Sequence, residues 1–421
     1  MIKTIEILPG VTLRCFPDLR FKQGCLSLQF VRPMDAREAA LNALIPAVLL
    51  RGCQSAPDLR AITQRLDDLY GASVGALVRR IGDYQTTGMY CGFISDRFTL
   101  EGDRILGPMV DFLRQLLLEP VLENGVFCKD IIESEKKNLI ATIESQLNDK
   151  RAYASARLTR IMCREDSFGV PRLGDVESVR AITPESAYAH YRRVLQESPV
   201  DLFYVGEAEP EQVAQLLRPV FAGFSRQIIT LPAQTAFHSC GGGSFSEEME
   251  VAQAKLCQGY TTPITSRDPD FVAMQLCNVI LGSGMTSKLF INVREKLSLC
   301  YSIGSSYTGS KGILTVSTGI DQKNADQVRQ EITKQLEAIC QGDITDAELE
   351  AAKQYLCSGL RGVHDSPGAI ENFYATAARN GMGLTTAQYM QRVMTVTAAQ
   401  VSRVAQTLKL DTEFFLKGVQ A

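Results

Sequence analysis

The chain has 421 residues, of which 45% are apolar and 22% are charged, and its formal net charge is −3. This composition is typical of a folded protein with a sizeable core, and it excludes a disordered chain. The largest basic clusters are pairs such as Arg79-Arg80 and Arg192-Arg193, which excludes the basic surface of a nucleic-acid-binding protein.

The first twenty residues read MIKTIEILPGVTLRCFPDLR. They lack the charged start and the long apolar run of a secretory signal, and no later stretch approaches the ~18 apolar residues of a membrane span. We therefore expect a cytoplasmic protein with no membrane partner.

The elements of the first half come in the order strand, helix, helix, strand. Residues 74–94 alternate between apolar and polar side chains, which predicts strands. Residues 127–148 predict a long helix, because one face carries four apolar side chains, Ile132, Leu139, Ile143 and Leu147. Residues 182–206 predict a helix after Thr183, followed by an aromatic-rich strand.

The second half repeats this plan. Residues 396–418 again show a Thr N-cap, an amphipathic helix, a polar turn and an aromatic-rich strand that ends at Gly. Residues 48–73 and 278–304 form a second pair, each with helix, Gly, helix and then Tyr. Two further patterns, Thr345-x-x-Glu348 and Thr397-x-x-Gln400, predict capping boxes. Two halves of similar architecture follow from these pairings.

The length also supports two halves, because 421 residues exceed one core at roughly 150 residues per domain. We predict a first domain at residues 1–220, a linker at 221–245 and a second domain at 246–421. The linker contains Pro and Gly-Gly-Gly, which suit an extended connection. The fold class is α+β, with a mixed, mainly antiparallel sheet covered by helices in each domain.

The twelve cysteines include no C-x-x-C spacing, and many lie in apolar stretches. They predict reduced core residues rather than a disulfide framework or a zinc knuckle. The three histidines, His190, His238 and His364, are too widely spaced for a local metal motif.

The stretch from Gly282 to Tyr307 reads GSGMTSKLFINVREKLSLCYSIGSSY, and it predicts a helix that runs into a strand. Arg294 and Tyr301 stand seven residues apart at that junction. Each has an ordinary interpretation: a surface arginine in a salt bridge, and a tyrosine at the edge of the core. The two glycines and the Ser-Lys lack the spacing of a phosphate-binding loop.

The duplicated halves, the V-R-E-K-x-x-L-x-Y-S segment and VGEAEPEQV at the end of the first half resemble the pitrilysin/insulinase group of zinc peptidases. The resemblance is to its smaller branch, which includes mitochondrial processing peptidase and bacterial two-subunit relatives. It covers nearly the whole chain, and it implies that the two domains form one half of a clamshell around a peptide.

Active members of that group carry H-x-x-E-H on a helix of the first half, where two His side chains bind zinc and Glu is the general base. With Gly52 as the anchor, the matching stretch is ALIPA. Ala43 and Ala47 take the His positions and Pro46 takes the Glu position. Neither alanine nor proline offers a ligand atom or a base, so the resemblance implies an empty zinc motif.

The third zinc ligand of the group is a Glu on a later helix, and Thr142 matches its position, with Glu135 as the acidic neighbour. A relocated metal site, formed by Glu133, Glu135 or Glu144 with His190, is the less favoured alternative, because acidic residues on an amphipathic helix usually face solvent.

Arg294 and Tyr301 match, at the group's own spacing, the pair that faces the zinc from the second half. The resemblance implies that Tyr301 donates a hydrogen bond to the oxyanion of the scissile carbonyl and that Arg294 binds backbone oxygens of the substrate. Both residues are therefore candidate substrate-binding residues, whereas no catalytic or metal-binding residue is expected in this chain.

A chain that keeps this pair and has an empty metal motif is expected to be the non-catalytic subunit of a two-chain peptidase. A partner with H-x-x-E-H, in a heterodimer or a homodimer, would hold the zinc. One alternative is a structural or scaffolding homologue with no role in proteolysis, as in respiratory-complex core subunits. Another is a self-sufficient metallopeptidase homodimer.

Overall fold

The computed structural model describes residues 2–223 and 225–419 of the chain. Contacts divide it into two compact units. The first unit comprises residues 1–143, 170–233 and 364–376, and the second comprises 144–169, 234–363 and 377–421. The boundaries proposed above, 1–220, 221–245 and 246–421, stay a prediction, and Phe224 in that linker lies outside the described residues.

The first unit contains a six-stranded sheet in the order β1-β2-β8-β3-β5-β4 and a two-stranded sheet, β6-β7. The β2–β8 pair is parallel, and the other pairs of the six-stranded sheet are antiparallel. The strand bounds are β1 Lys3–Leu8, β2 Val11–Pro17, β3 Gln23–Pro33, β4 Ser73–Ile81, β5 Tyr84–Ile94, β6 Leu122–Glu123, β7 Val126–Phe127 and β8 Val200–Gly206.

The second unit contains a five-stranded sheet in the order β11-β12-β10-β13-β9. Its strands are β9 Gly243–Met249, β10 Ala254–Thr261, β11 Cys300–Thr308, β12 Ile313–Ile320 and β13 Lys409–Gly418. The β9–β13 pair is parallel, and the other pairs are antiparallel. This order and these directions reproduce β4-β5-β3-β8-β2 of the first unit, so the predicted duplication of a mixed, mainly antiparallel α+β fold is confirmed.

Fourteen α-helices lie within the described residues, together with one π-helix at Leu289–Lys296. In the first half of the sequence they are α1 Ala36–Leu49, α2 Leu59–Asp67, α3 Leu106–Leu118, α4 Lys129–Ser145, α5 Lys150–Met162, α6 Val176–Arg180, α7 Pro184–Glu197 and α8 Pro210–Ala222. In the second half they are α9 Phe271–Gly282, α10 Ala325–Cys340, α11 Asp346–Gly362, α12 Pro367–Asn380, α13 Thr386–Thr395 and α14 Ala398–Ala405. None of the helices in the described residues is long and apolar enough to cross a membrane.

The helix starts follow the capping signals of the sequence. Thr183, Thr345 and Thr397 are the N-caps of α7, α11 and α14, and all three form capping boxes. The helix predicted at residues 127–148 is shorter, because α4 ends at Ser145 and a new helix begins after Asp149, whose side chain accepts from two backbone N–H groups. Leu147 consequently lies outside α4 and is 43% exposed rather than part of its apolar face.

The segment between the halves of the sequence is largely without regular structure. Residues 225–233 belong to the first unit, where the Tyr84 hydroxyl donates to the carbonyl of Pro232 at 2.5 Å. Residues 234–363 belong to the second unit, where the N–H of Phe237 donates to the carbonyl of Lys311 at 2.8 Å. The strand β9 already begins at Gly243, where its parallel pairing with β13 starts.

Each unit includes one helical segment from the other half of the sequence. The first unit includes residues 364–376, and Glu371 in this segment of α12 is buried against the sheet. Ser27, Gln29 and Arg79 all donate hydrogen bonds to the Glu371 carboxylate, at 2.7, 2.9 and 2.8–2.9 Å. Four donor atoms therefore compensate the burial of one charge.

The second unit includes α5 in the corresponding way. The Tyr153 hydroxyl and Arg157 Nε on α5 donate to the Glu247 carboxylate on β9, at 2.7 and 2.8 Å. Ala154 and Leu158 on the same helix are buried against Phe414 and Leu416 of β13. Neither half of the sequence thus contains all the residues of the unit that it mainly builds.

Candidate functional site

The degenerate motif lies on α1 in the first unit. Ala43 is buried, Pro46 is buried within the helix, and Ala47 is half-buried. A proline inside a helix removes the hydrogen bond to the carbonyl four residues earlier, here that of Asn42. The Thr87 hydroxyl on β5 donates to this carbonyl at 2.5 Å. The helix therefore continues through Pro46 to Leu49, because a neighbouring strand replaces the missing donor.

His190 lies beside this helix, but its ring is already engaged. Arg193 donates to Nδ1 at 2.7 Å, and Nε2 lies 2.8 Å from Asn42 Oδ1. Because a guanidinium only donates, Nδ1 is the acceptor and Nε2 carries the proton that it donates to Asn42. Burial, with added repulsion from Arg193 and Arg32, lowers the pKa of His190 to about 3. His190 is therefore a neutral, buried histidine that stabilises α1.

The other candidate metal ligands are also engaged with neighbouring residues. Thr142 is exposed, and its hydroxyl donates to the Asn138 carbonyl at 2.8 Å. Glu135 forms a salt bridge with Arg51 at 2.8 Å, and Glu133 is paired with Lys136. Across residues 2–223 and 225–419, no three His, Cys, Asp or Glu side chains are grouped as a metal site requires. The residues at the motif positions do not fit a zinc ion.

We expect the purified chain to hold no stoichiometric zinc, because Ala43 and Ala47 offer no lone pair and the Thr142 hydroxyl is occupied by its own helix. Elemental analysis of the chain measures this directly, with an H-x-x-E-H peptidase purified in parallel as the positive control. About one tightly held zinc ion per chain would contradict the expectation.

The predicted junction of helix and strand lies in the second unit and is irregular. Leu289–Lys296 is a π-helix, in which the N–H of Leu297 donates to the carbonyl of Asn292 at 3.2 Å. Ser298 follows with a φ of 51°, in the left-handed region that non-glycine residues rarely adopt. Both features are uncommon and cluster at functional sites. After these two features the chain enters β11, with Arg294 on the π-helix and Tyr301 at the start of the strand.

Tyr301 is the extra residue of a β-bulge. Cys300 pairs with Ile320 and Ser302 with Gly319, so Tyr301 has no partner of its own on β12. Tyr301 is 55% exposed, whereas Ile303 is 8% exposed. Tyr301 therefore does not share the buried face of Ile303, because a bulge redirects a side chain. The tyrosine points to solvent and is not a residue of the core edge.

The structure brings Arg294 and Tyr301 together. Arg294 Nε donates to the main-chain carbonyl of Tyr301 at 3.1 Å, and the guanidinium lies 4.6 Å from the centre of the Phe290 ring. Arg294 also pairs with Glu295 at 3.1 Å, which is the ordinary surface salt bridge considered above. The Phe290 ring and the Tyr301 carbonyl together fix the direction of the guanidinium.

Asp321 completes this arrangement, although no motif in the sequence points to it. The Tyr301 hydroxyl donates to Asp321 Oδ1 at 3.1 Å. Asp321 directly follows β12, opposite the bulge. The hydrogen bond with Asp321 raises the pKa of Tyr301. Tyr301 therefore keeps its proton at neutral pH and can act as a hydrogen-bond donor.

A cleft of about 670 Å³ lies beside this junction, entirely within the second unit. It shares Phe290 with Arg294, and its remaining lining is mostly small or polar: Asp149, Arg151, Ala152, Ser155, Gly282, Ser283, Gly284, Met285, Ile303, Gly304, Ser305, Ser306, Thr315 and Ser317. Lys288 after the glycines is buried and paired with Glu348 at 2.9 Å. The segment thus presents backbone and hydroxyl groups to the cleft, whereas Lys288 forms an ion pair with Glu348.

Comparisons with known proteins show which proteins this chain resembles. The model of the peptidase M16 inactive domain matches residues 181–356. A probable inactive metalloprotease of Bacillus subtilis (strain 168), YmfF, is 29% identical over 411 residues, which covers 98% of this chain and 96% of the relative. An uncharacterized zinc protease of Mycobacterium leprae is 25% identical over 299 residues, 69% of this chain and 67% of the relative.

Solved structures share this fold. A conserved protein from Enterococcus faecalis V583 has a TM-score of 0.91 and 29% identity, and the match covers 100% of this chain and 99% of the other. A peptidase M16 inactive domain from Pseudomonas fluorescens has a TM-score of 0.80 at 19% identity and covers 100% and 98% of the two chains. The resemblance to the pitrilysin/insulinase group is thereby confirmed. The chain is similar over nearly its whole length to an inactive relative of the zinc peptidases, and Ala43, Pro46 and Ala47 stand in place of the zinc motif.

Proposed function

We propose that this chain is the substrate-binding, non-catalytic subunit of a two-chain zinc peptidase that encloses and cleaves unfolded peptides. The observation that carries the proposal is the geometry of Arg294 and Tyr301. An exposed phenol on a bulge and a guanidinium fixed by a ring and a carbonyl lie side by side in a chain without catalytic groups on α1.

The chemistry of the pair explains what such a subunit contributes. A guanidinium and a phenol are hydrogen-bond donors, and their natural partners in a peptide are backbone carbonyl oxygens. A donor directed at the oxygen where negative charge develops lowers the barrier to hydrolysis without contacting the metal. The zinc ion, its ligands and the general base would then belong to a partner subunit that carries H-x-x-E-H.

The alternative is a scaffolding role, and one observation favours it. Both members of the pair have partners in the chain itself, Glu295 for Arg294 and Asp321 for Tyr301. A structural pair needs nothing more. Exposure argues against this account, because hydrogen bonds at a solvent-exposed site contribute little to stability and would not by themselves require a π-helix and a bulge.

We expect an H-x-x-E-H protein of similar size to co-purify with this chain from its source, and we expect peptidase activity only when both chains are present. Affinity purification of the tagged chain, followed by mass spectrometry and a peptide cleavage assay on the separate and mixed chains, tests this. Full activity of the pure chain would contradict the proposal, and so would a complex whose activity is the same without this chain.

A further inference from the structure

We propose that Asp321 holds Tyr301 in a resting state that an incoming peptide must displace, so that Asp321 limits peptide affinity at this site. The inference rests on the proposed function and adds to it the regulation of Tyr301. It follows from the hydrogen bond of 3.1 Å between the Tyr301 hydroxyl and Asp321 Oδ1.

A phenol has a single proton to donate. While that proton points to Asp321, the Tyr301 oxygen faces solvent with its lone pairs and repels a peptide carbonyl instead of binding it. Tyr301 can donate to a peptide carbonyl only after its hydrogen bond with the carboxylate breaks. Binding therefore includes the loss of one charge-assisted hydrogen bond, which reduces the apparent affinity for peptide.

The fold places Asp321 where its carboxylate competes with a peptide carbonyl for the proton of the Tyr301 hydroxyl. Asp321 follows β12 immediately, and Ile320 at the end of β12 pairs with Cys300, the residue before the bulge. The carboxylate and the phenol are therefore carried by adjacent strands at the same end of the sheet. Because Tyr301 is 55% exposed and Asp321 is half-buried, the phenol can leave the carboxylate by a side-chain rotation without unfolding either strand.

The first unit contains a matched pair that serves as a control. Tyr70, just before β4, donates to Asp103 Oδ2 at 2.5 Å. The N–H of Leu100 additionally donates to the Tyr70 hydroxyl at 3.3 Å, so both roles of that hydroxyl are taken by the chain. Nothing in the proposed function involves Tyr70 or Asp103, although their chemistry equals that of Tyr301 and Asp321.

The test measures binding of fluorescein-labelled, oxidised insulin B chain, an unstructured peptide, to the assembled two-chain protein by fluorescence anisotropy. Phenanthroline removes the zinc beforehand so that the peptide stays intact. We expect Asp321→Ala to lower the Kd about three- to tenfold, because the peptide no longer displaces a hydrogen bond. We expect no effect of Asp321→Ala when Tyr301→Phe is already present, and none of Asp103→Ala.

The outcomes separate the inference from the function beneath it. If Tyr301→Phe weakens binding while Asp321→Ala leaves it unchanged or weakens it, the resting-state inference is wrong and the proposed function stands. If Tyr301→Phe has no effect on binding or cleavage, both fail. A tightening by Asp321→Ala that persists in the Tyr301→Phe background would show that the carboxylate acts through its charge alone, which also overturns the inference.

Discussion

Tyr301→Phe is expected to lower the turnover of the two-chain peptidase on the order of 10²-fold, the effect of losing one oxyanion donor. The substitution removes a hydroxyl and keeps the ring, and Tyr301 is 55% exposed. Its thermal stability should therefore change little, because the lost hydrogen bond to Asp321 is exposed. Steady-state cleavage of a peptide by the assembled protein, together with the melting temperature of the variant, measures both quantities.

Tyr70→Phe is the matched control for this substitution. It removes the same hydroxyl from a tyrosine that also donates to an aspartate, but in the first unit. We expect turnover close to that of the wild type for this control. Wild-type turnover from a well-folded Tyr301→Phe assembly would contradict the role of Tyr301 in the reaction and would favour the scaffolding alternative.

Glu371→Ala is expected to destabilise the first unit by about 3 kcal/mol, the cost of leaving a buried charge network without one partner. Glu371 is 1% exposed and accepts from Ser27, Gln29 and Arg79. Removal of the carboxylate leaves the two buried donors without their acceptor and the Arg79 guanidinium without its counter-charge. The measurement is urea unfolding of the whole chain, with hydrogen exchange at β3 and β4 to locate the loss.

Glu350→Ala provides the control, because Glu350 is an exposed glutamate of α11 that accepts from a neighbouring glutamine at 2.7 Å. A surface substitution of this kind should stay within about 0.5 kcal/mol. Equal stabilities of the Glu371→Ala and Glu350→Ala proteins would contradict the idea that residues 364–376 are an integral part of the first unit.

Features that depend on local patterns could be predicted from the amino-acid sequence. Thr183, Thr345 and Thr397 marked helix starts, because a capping hydroxyl acts within three residues of its own position. The two pairs of similar segments predicted duplicated halves. The five strands of the second sheet have the same order and directions as five strands of the first. The absence of metal-binding side-chain atoms at Ala43, Pro46 and Ala47 could also be predicted, since it depends on residue type alone.

Other features depend on contacts between residues that are distant in the sequence. The exposure of Tyr301 depends on a bulge against β12. Asp321, which accepts from the Tyr301 hydroxyl, lies twenty residues later in the chain. The buried Glu371 accepts from Ser27 and Arg79, which lie 344 and 292 positions earlier. The same holds for Thr87, which keeps α1 intact at Pro46. In each case the side chain satisfies a hydrogen-bonding group that is distant in sequence. Local periodicity carries no information about such partners, because they become neighbours only when the strands pair and the helices pack on the sheets.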